Sequence, residues 1–238
     1  MSARKTSRTE EIDFLEADVK SDFYTAKKQI ESAGYVIPSL EEFALARINY
    51  STPSDSPLMD DSGIKYCWTR DFSIYVPGEN GIYLSKSVNS PIIENDKPWF
   101  TRKGNMWPYE PEKYDEKGIY FNESELARIL EDSIFIENPD AQSEIIRLAV
   151  PTASFQEYFL TSYLFGEETA QKYGEMLKQI TGDNAKFIHL ELGNKKKLHA
   201  RQLCLGNILT TNNIITNKCR LHVSTFGSQD ARMIGLRK

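Results

Sequence analysis

Between residues 10 and 33 the apolar positions Leu15, Val19, Phe23, Ala26, Ile30 and Ala33 recur at steps of three or four. That spacing lines one face of a 3.6-residue period and predicts an amphipathic helix over 10–33. Ser7 followed by Glu10 has the capping-box pattern, and Gly34 supplies a C-terminal stop. A second helix is predicted to begin at Pro38-Ser39. Ser39 with Glu42 repeats the capping pattern, and Phe43, Ala44 and Ile48 give it an apolar side. The stretch Ser51 to Ser62 is rich in Ser, Pro and Asp and reads as a surface loop.

The period then shortens to two. Ile64, Tyr66 and Trp68 alternate with Lys65, Cys67 and Thr69, and Phe72, Ile74 and Val76 carry the alternation to Pro77. Gly78-Glu79-Asn80-Gly81 is a hairpin signal leading into Ile82-Tyr83-Leu84. Residues 89–118 show no period and hold four prolines and five aromatics, a long loop of the kind that carries function or anchors itself to the body. Asn122 and Glu125 cap a short helix over Leu126, Ile129 and Leu130. A buried strand is expected at Ile145–Val150, then helices over 154–165 and 167–180. The rest reads as an antiparallel meander: 186–192, 198–205, 219–226 and 231–236. Helical and strand patterns segregate along the chain, which predicts an α+β fold. It comprises N-terminal helices, a central antiparallel sheet, a helical insertion and a C-terminal β meander, in a single domain over 1–238.

Composition narrows the class. The 238 residues are 40% hydrophobic and 26% charged, which excludes a wholly disordered or fibrous chain. No apolar run approaches the roughly 18–20 residues that span a bilayer, so no membrane partner is expected. The polar, then acidic, N-terminus lacks a secretory apolar segment. Cys67, Cys204 and Cys219 are odd in number and widely spaced, without metal-finger spacing. These features lead to an expectation of reduced thiols and a cytoplasmic location.

Charge is distributed unevenly. Residues 193–238 hold nine Lys or Arg against a single acid, Asp230, a balance of +8, leaving twenty against 33, or −13, for residues 1–192. A cluster of cations suits a polyanion, because each neutralised phosphate releases counterions. Lys195, Lys196, Lys197, Arg201 and Lys218 are the candidate nucleic-acid contacts, with DNA favoured over RNA. The competing reading is that the basic segment packs against the acidic body and the charges cancel internally.

All three histidines fall in or beside that segment. Strand alternation over 219–226 sets Arg220, His222 and Ser224 opposite Leu221 and Val223. If 186–192 shares the sheet, His189 joins them, with His199 and Arg201 nearby. His222, His199 and Arg220 are therefore the candidate catalytic residues, an imidazole as proton carrier beside a forked phosphate donor. Three unrelated surface histidines are the plainer alternative. A D-x-K pattern, Asp115-Glu116-Lys117, has Asp60, Asp61 or Asp71 upstream as further acids for a divalent cation, but it sits in the proline-rich segment without an evident strand.

A third pattern uses other residues. Arg70 on an early strand, Ser85-Lys86-Ser87 at the end of the next and Gln142-Ser143-Glu144 before an apolar run resemble, in order and approximate spacing, the ADP-ribosyltransferase superfamily. Lys86 stands where that family usually has Thr, and the resemblance covers residues 70–150. It implies an NAD-dependent transferase in which Arg70 positions the cofactor, Ser85 orders the site and Glu144 stabilises an oxocarbenium-like transition state. The first expectation for function remains nucleic-acid binding through 193–238, extending to a small DNA endonuclease of restriction type. The transferase and a non-enzymatic interaction protein are the alternatives.

Overall fold

A computed structural model describes residues 14–16, 23–49, 66–86, 123–151, 154–181, 186–192, 198–206, 223–224 and 231–237. In chain order the elements are β1 (Phe14–Glu16), α1 (Phe23–Ser32), α2 (Leu40–Asn49), β2 (Tyr66–Tyr75), β3 (Gly81–Ser85), α3 (Glu123–Glu131), β4 (Ile134–Glu137), β5 (Ile145–Val150), α4 (Phe159–Phe165), α5 (Glu167–Thr181), β6 (Lys186–Glu191), β7 (His199–Gly206), β8 (Val223–Ser224) and β9 (Ala231–Leu236). Helices and a largely antiparallel sheet make this an α+β fold.

The helix predicted over 10–33 is shorter than its periodicity. Residues 14–16 are instead a strand that pairs antiparallel with β9, Phe14 opposite Leu236. Leu15 satisfies a helical spacing and an edge-strand position equally well, and the distant strand decides. The end of α1 is set locally. Gly34 has φ 81°, its N–H donates to Glu31 and that of Tyr35 to Ile30, which is the Schellman arrangement. At α2 the capping box forms as the sequence predicts: Glu42 N–H donates to Ser39 Oγ at 3.1 Å, and Ser39 N–H to Glu42 Oε2 at 2.9 Å.

Among the described residues, β2 is the axis of a seven-stranded sheet. Along one side it pairs antiparallel with β7, from Tyr66 opposite Gly206 to Tyr75 opposite His199. Its other side is shared. Tyr66–Trp68 pair with β9 in parallel, and Phe72–Ile74 pair with β3 antiparallel. β3 pairs onward with β4, a strand of four residues that the sequence reading missed. The C-terminal meander needs correction. β6 pairs not with β7 but with β5, in a separate two-stranded sheet, and β9 runs parallel to β2.

Alternation along the strands serves two cores. Cys67, Ile82, Leu84, Leu203 and Leu205 face α2, α4, α5 and the β5–β6 pair; Trp68, Phe72, Ile74, Ala200 and Cys204 face α1 and α3. No helix of the described residues is long and apolar enough to cross a membrane.

Candidate functional site

The pairing of β2 with β7 slips between Trp68 and Phe72, so that Thr69, Arg70 and Asp71 oppose Leu203. This bulge falls where β9 leaves the side of β2 and β3 takes it over, leaving a fork in the sheet. Two extra residues preserve the parity of the strand, so Trp68 and Phe72 face the same core. Bulges re-aim the side chains they carry. Thr69 Oγ1 donates to the Leu203 carbonyl at 3.0 Å, and the Arg70 N–H donates to the Pro38 carbonyl at 2.8 Å. Asp71 points at the first turn of α2, where its Oδ2 accepts the Leu40 N–H at 2.6 Å. The start of α2 thus closes the fork.

Four more charges gather there. Arg70 pairs with Glu42 at 3.1 Å, the same carboxylate that caps α2 through its other oxygen. Lys86, just past β3, pairs with Glu41 at 3.0 Å. Glu41 also reaches the turn between α4 and α5. There Gly166 has φ 73°, and a Cβ on it would lie 2.5 Å from Glu41 Oε1. Tyr163 of α4 has its hydroxyl within donating reach of the Leu84 and Asp132 carbonyls. Burial, followed by the negative charges of Asp71 and Asp132, raises its pKa.

Asp71 is 0% exposed, and its Oδ1 has no hydrogen-bond partner. Removal from water raises its pKa from 3.8 to about 7, against the lowering effects of the Leu40 N–H, Lys86 and Arg70. Burial thus moves its titration up toward neutrality. Arg70 Nε is likewise buried without a partner. Sequence reasoning met Asp71 only as a candidate metal acid, since nothing in a linear pattern signals that a strand carboxyl is buried against a helix start. Among the described residues no group of three or more His, Cys, Asp or Glu side chains is placed to hold a metal ion.

The residues singled out by the sequence distribute as follows. His199 and Arg201 lie on β7, opposite Tyr75 and Ser73. His189 lies on β6 opposite Arg147, in the two-stranded sheet and not the sheet of β7, so the shared sheet that would join it to His199 is not formed. Lys195, Lys196, Lys197, Lys218, Arg220 and His222 lie outside the described residues, as do Asp60, Asp61 and Asp115-Glu116-Lys117. Of the transferase-like set, Arg70 and Ser85 sit on neighbouring strands, Ser85 buried and opposite Phe72. Glu144 is exposed just before β5, where its carbonyl accepts the Leu192 N–H.

No family model and no curated protein matches the chain. A solved structure described as "Accommodation of massive sequence variation in Nanoarchaeota by the C-type lectin fold" is similar over 99% of this chain and 98% of its own, with a TM-score of 0.55 and 17% identity. At that identity the likeness is one of fold.

Proposed function

We propose that this chain is a binding protein that recognises a polyanion, duplex DNA first, through its basic segment 193–238 carried on a C-type-lectin-like framework. The register around Tyr66 carries the reading. Tyr66 pairs with Gly206 on one side and Ala231 on the other, so the segment 207–222 begins, and the segment 225–230 ends, at the end of β2 that 50–65 leads into. Lys218, Arg220 and His222 belong to the first of these segments. A framework that gathers several connecting segments at one end of its central strand suits recognition, because connections tolerate changes that paired strands do not. The structural neighbour's fold is described as accommodating massive sequence variation, which supports the same division of labour.

Anisotropy of a labelled DNA duplex against the purified chain tests the reading. If about four cations meet phosphates, log K falls with log salt at a slope of roughly −3.6. Changing Lys218 and Arg220 together to Ala flattens that slope by about 1.8. Absence of binding to duplex at low salt removes nucleic acid as the partner. Adding a divalent cation to the same mixture reads out the restriction-type nuclease, as cutting of the bound duplex.

A further inference from the structure

At the fork of the sheet, two cations stand between competing carboxylates. Arg70 and Lys86 are engaged by Glu42 and Glu41, whose side chains are about one-third exposed, while both also act on the buried carboxyl of Asp71. Asp71 has one oxygen committed to the Leu40 N–H and the other without a partner. Arg70 has an unused buried Nε–H. A buried ionised carboxylate needs charge and hydrogen bonds on both oxygens, and the groups that can supply them are already at hand.

We propose that this cluster is a proton-operated latch between the start of α2 and the fork in the sheet. With Asp71 protonated, Arg70 and Lys86 stay on Glu42 and Glu41. When Asp71 loses its proton to solvent, the two cations turn inward onto it. Glu42 then keeps only its capping bond to Ser39, and Glu41 is released at the α4–α5 turn beside Gly166.

The groups that face Asp71 fix the direction of each perturbation. From β2 comes Arg70 and from the end of β3 Lys86, both favouring the ionised form; from α2 come the Leu40 N–H, which favours it, and Glu42, which opposes it. From α4 comes Tyr163, neutral and tied to backbone carbonyls, with Asp132 beyond it. The bond from Leu40 survives in both states, so α2 keeps its position while its ion pairs change. The device links the proton state of the sheet to the α4–α5 turn on the side of the apolar core that holds Phe43 and Leu164.

Carbon-detected NMR of the carboxyl groups of the full chain, with the Leu40 amide followed in parallel, tests this between pH 3 and 9. The expected result is one common midpoint near neutrality for Asp71 Cγ, the Leu40 amide, and Glu41 and Glu42 Cδ. Lys86→Gln moves that midpoint up and Glu42→Gln moves it down, each by about half a pH unit. Asp71→Asn removes the neutral transition from Leu40 and Glu41. An Asp71 that titrates in the ordinary carboxylate range overturns the proposal. So does one that titrates near neutrality while Glu41 and Glu42 do not respond. If Asp71→Asn does not fold, the direct titration of Asp71 and the glutamates in the unaltered chain still decides between these outcomes.

Discussion

Arg47 is 0% exposed, a cation enclosed between α2 and the aromatic cluster of Phe155, Phe165 and Tyr173. One guanidinium nitrogen donates to the Tyr173 hydroxyl at 2.8 Å, and the charge lies 4.8 Å from the centre of the Phe43 ring. Replacing Tyr173 by Phe keeps the ring, with its contacts to Phe165 and Phe155, and removes the acceptor of this bond. A hydrogen bond to a charged group is worth about 1.5–3 kcal/mol, and in a buried site little water arrives to replace it. Tyr173→Phe should therefore cost about 2 kcal/mol. Arg47→Met removes the cation together with the cost of burying it, and loses about 1 kcal/mol of cation–π attraction. With both changes the bond is removed from both sides, and replacing a buried polar pair by apolar groups of similar volume is often neutral or stabilising. The double variant should then lose at least ~1.5 kcal/mol less than the sum of the single losses. Urea unfolding at fixed pH, with the slope checked for constancy, measures each corner of the cycle. Additivity within about 0.5 kcal/mol would show that Arg47 and Tyr173 do not depend on one another, and would refute the reasoning.

Asp71 makes stability depend on pH. Its folded pKa, raised by burial to about 7 from 3.8, means that the native state holds a proton the unfolded chain releases. Stability from this group is full below the unfolded value and is lost as pH rises through the folded one, by up to about 4 kcal/mol. Asp71→Asn, which keeps an acceptor for Leu40, should flatten the stability profile between pH 4 and 8; an unchanged slope in chemical denaturation at several pH values would contradict this. At the start of α2, Ser39→Ala removes the acceptor for the Glu42 N–H and should cost about 1 kcal/mol, read as a lowered thermal midpoint.

How much of this protein was legible in its sequence follows from the range over which each decision is made. The caps of α1 and α2 were legible. Gly34 at positive φ, and Ser39 with Glu42 three residues on, act within one turn and need no partner from elsewhere. The strands 66–75 and 81–85 and their hairpin were legible too, because alternation and a glycine turn specify a local pairing. What the strands of the last fifth pair with was not. β6 joins β5, and β9 lies parallel to β2, because a strand's own pattern fixes which faces are apolar and not which neighbour fills its hydrogen bonds. Residues 14–16 show the same ambiguity from the other side: a helical spacing yields when Leu236 and Ile234 offer a ladder. The candidate site is the furthest from the sequence. In the sequence Asp71 stands out only as one of three upstream acids for a divalent cation. Only the fork between β9 and β3, plugged by α2, takes it out of water, and desolvation is a property of everything packed around a group, which no run of neighbouring residues encodes.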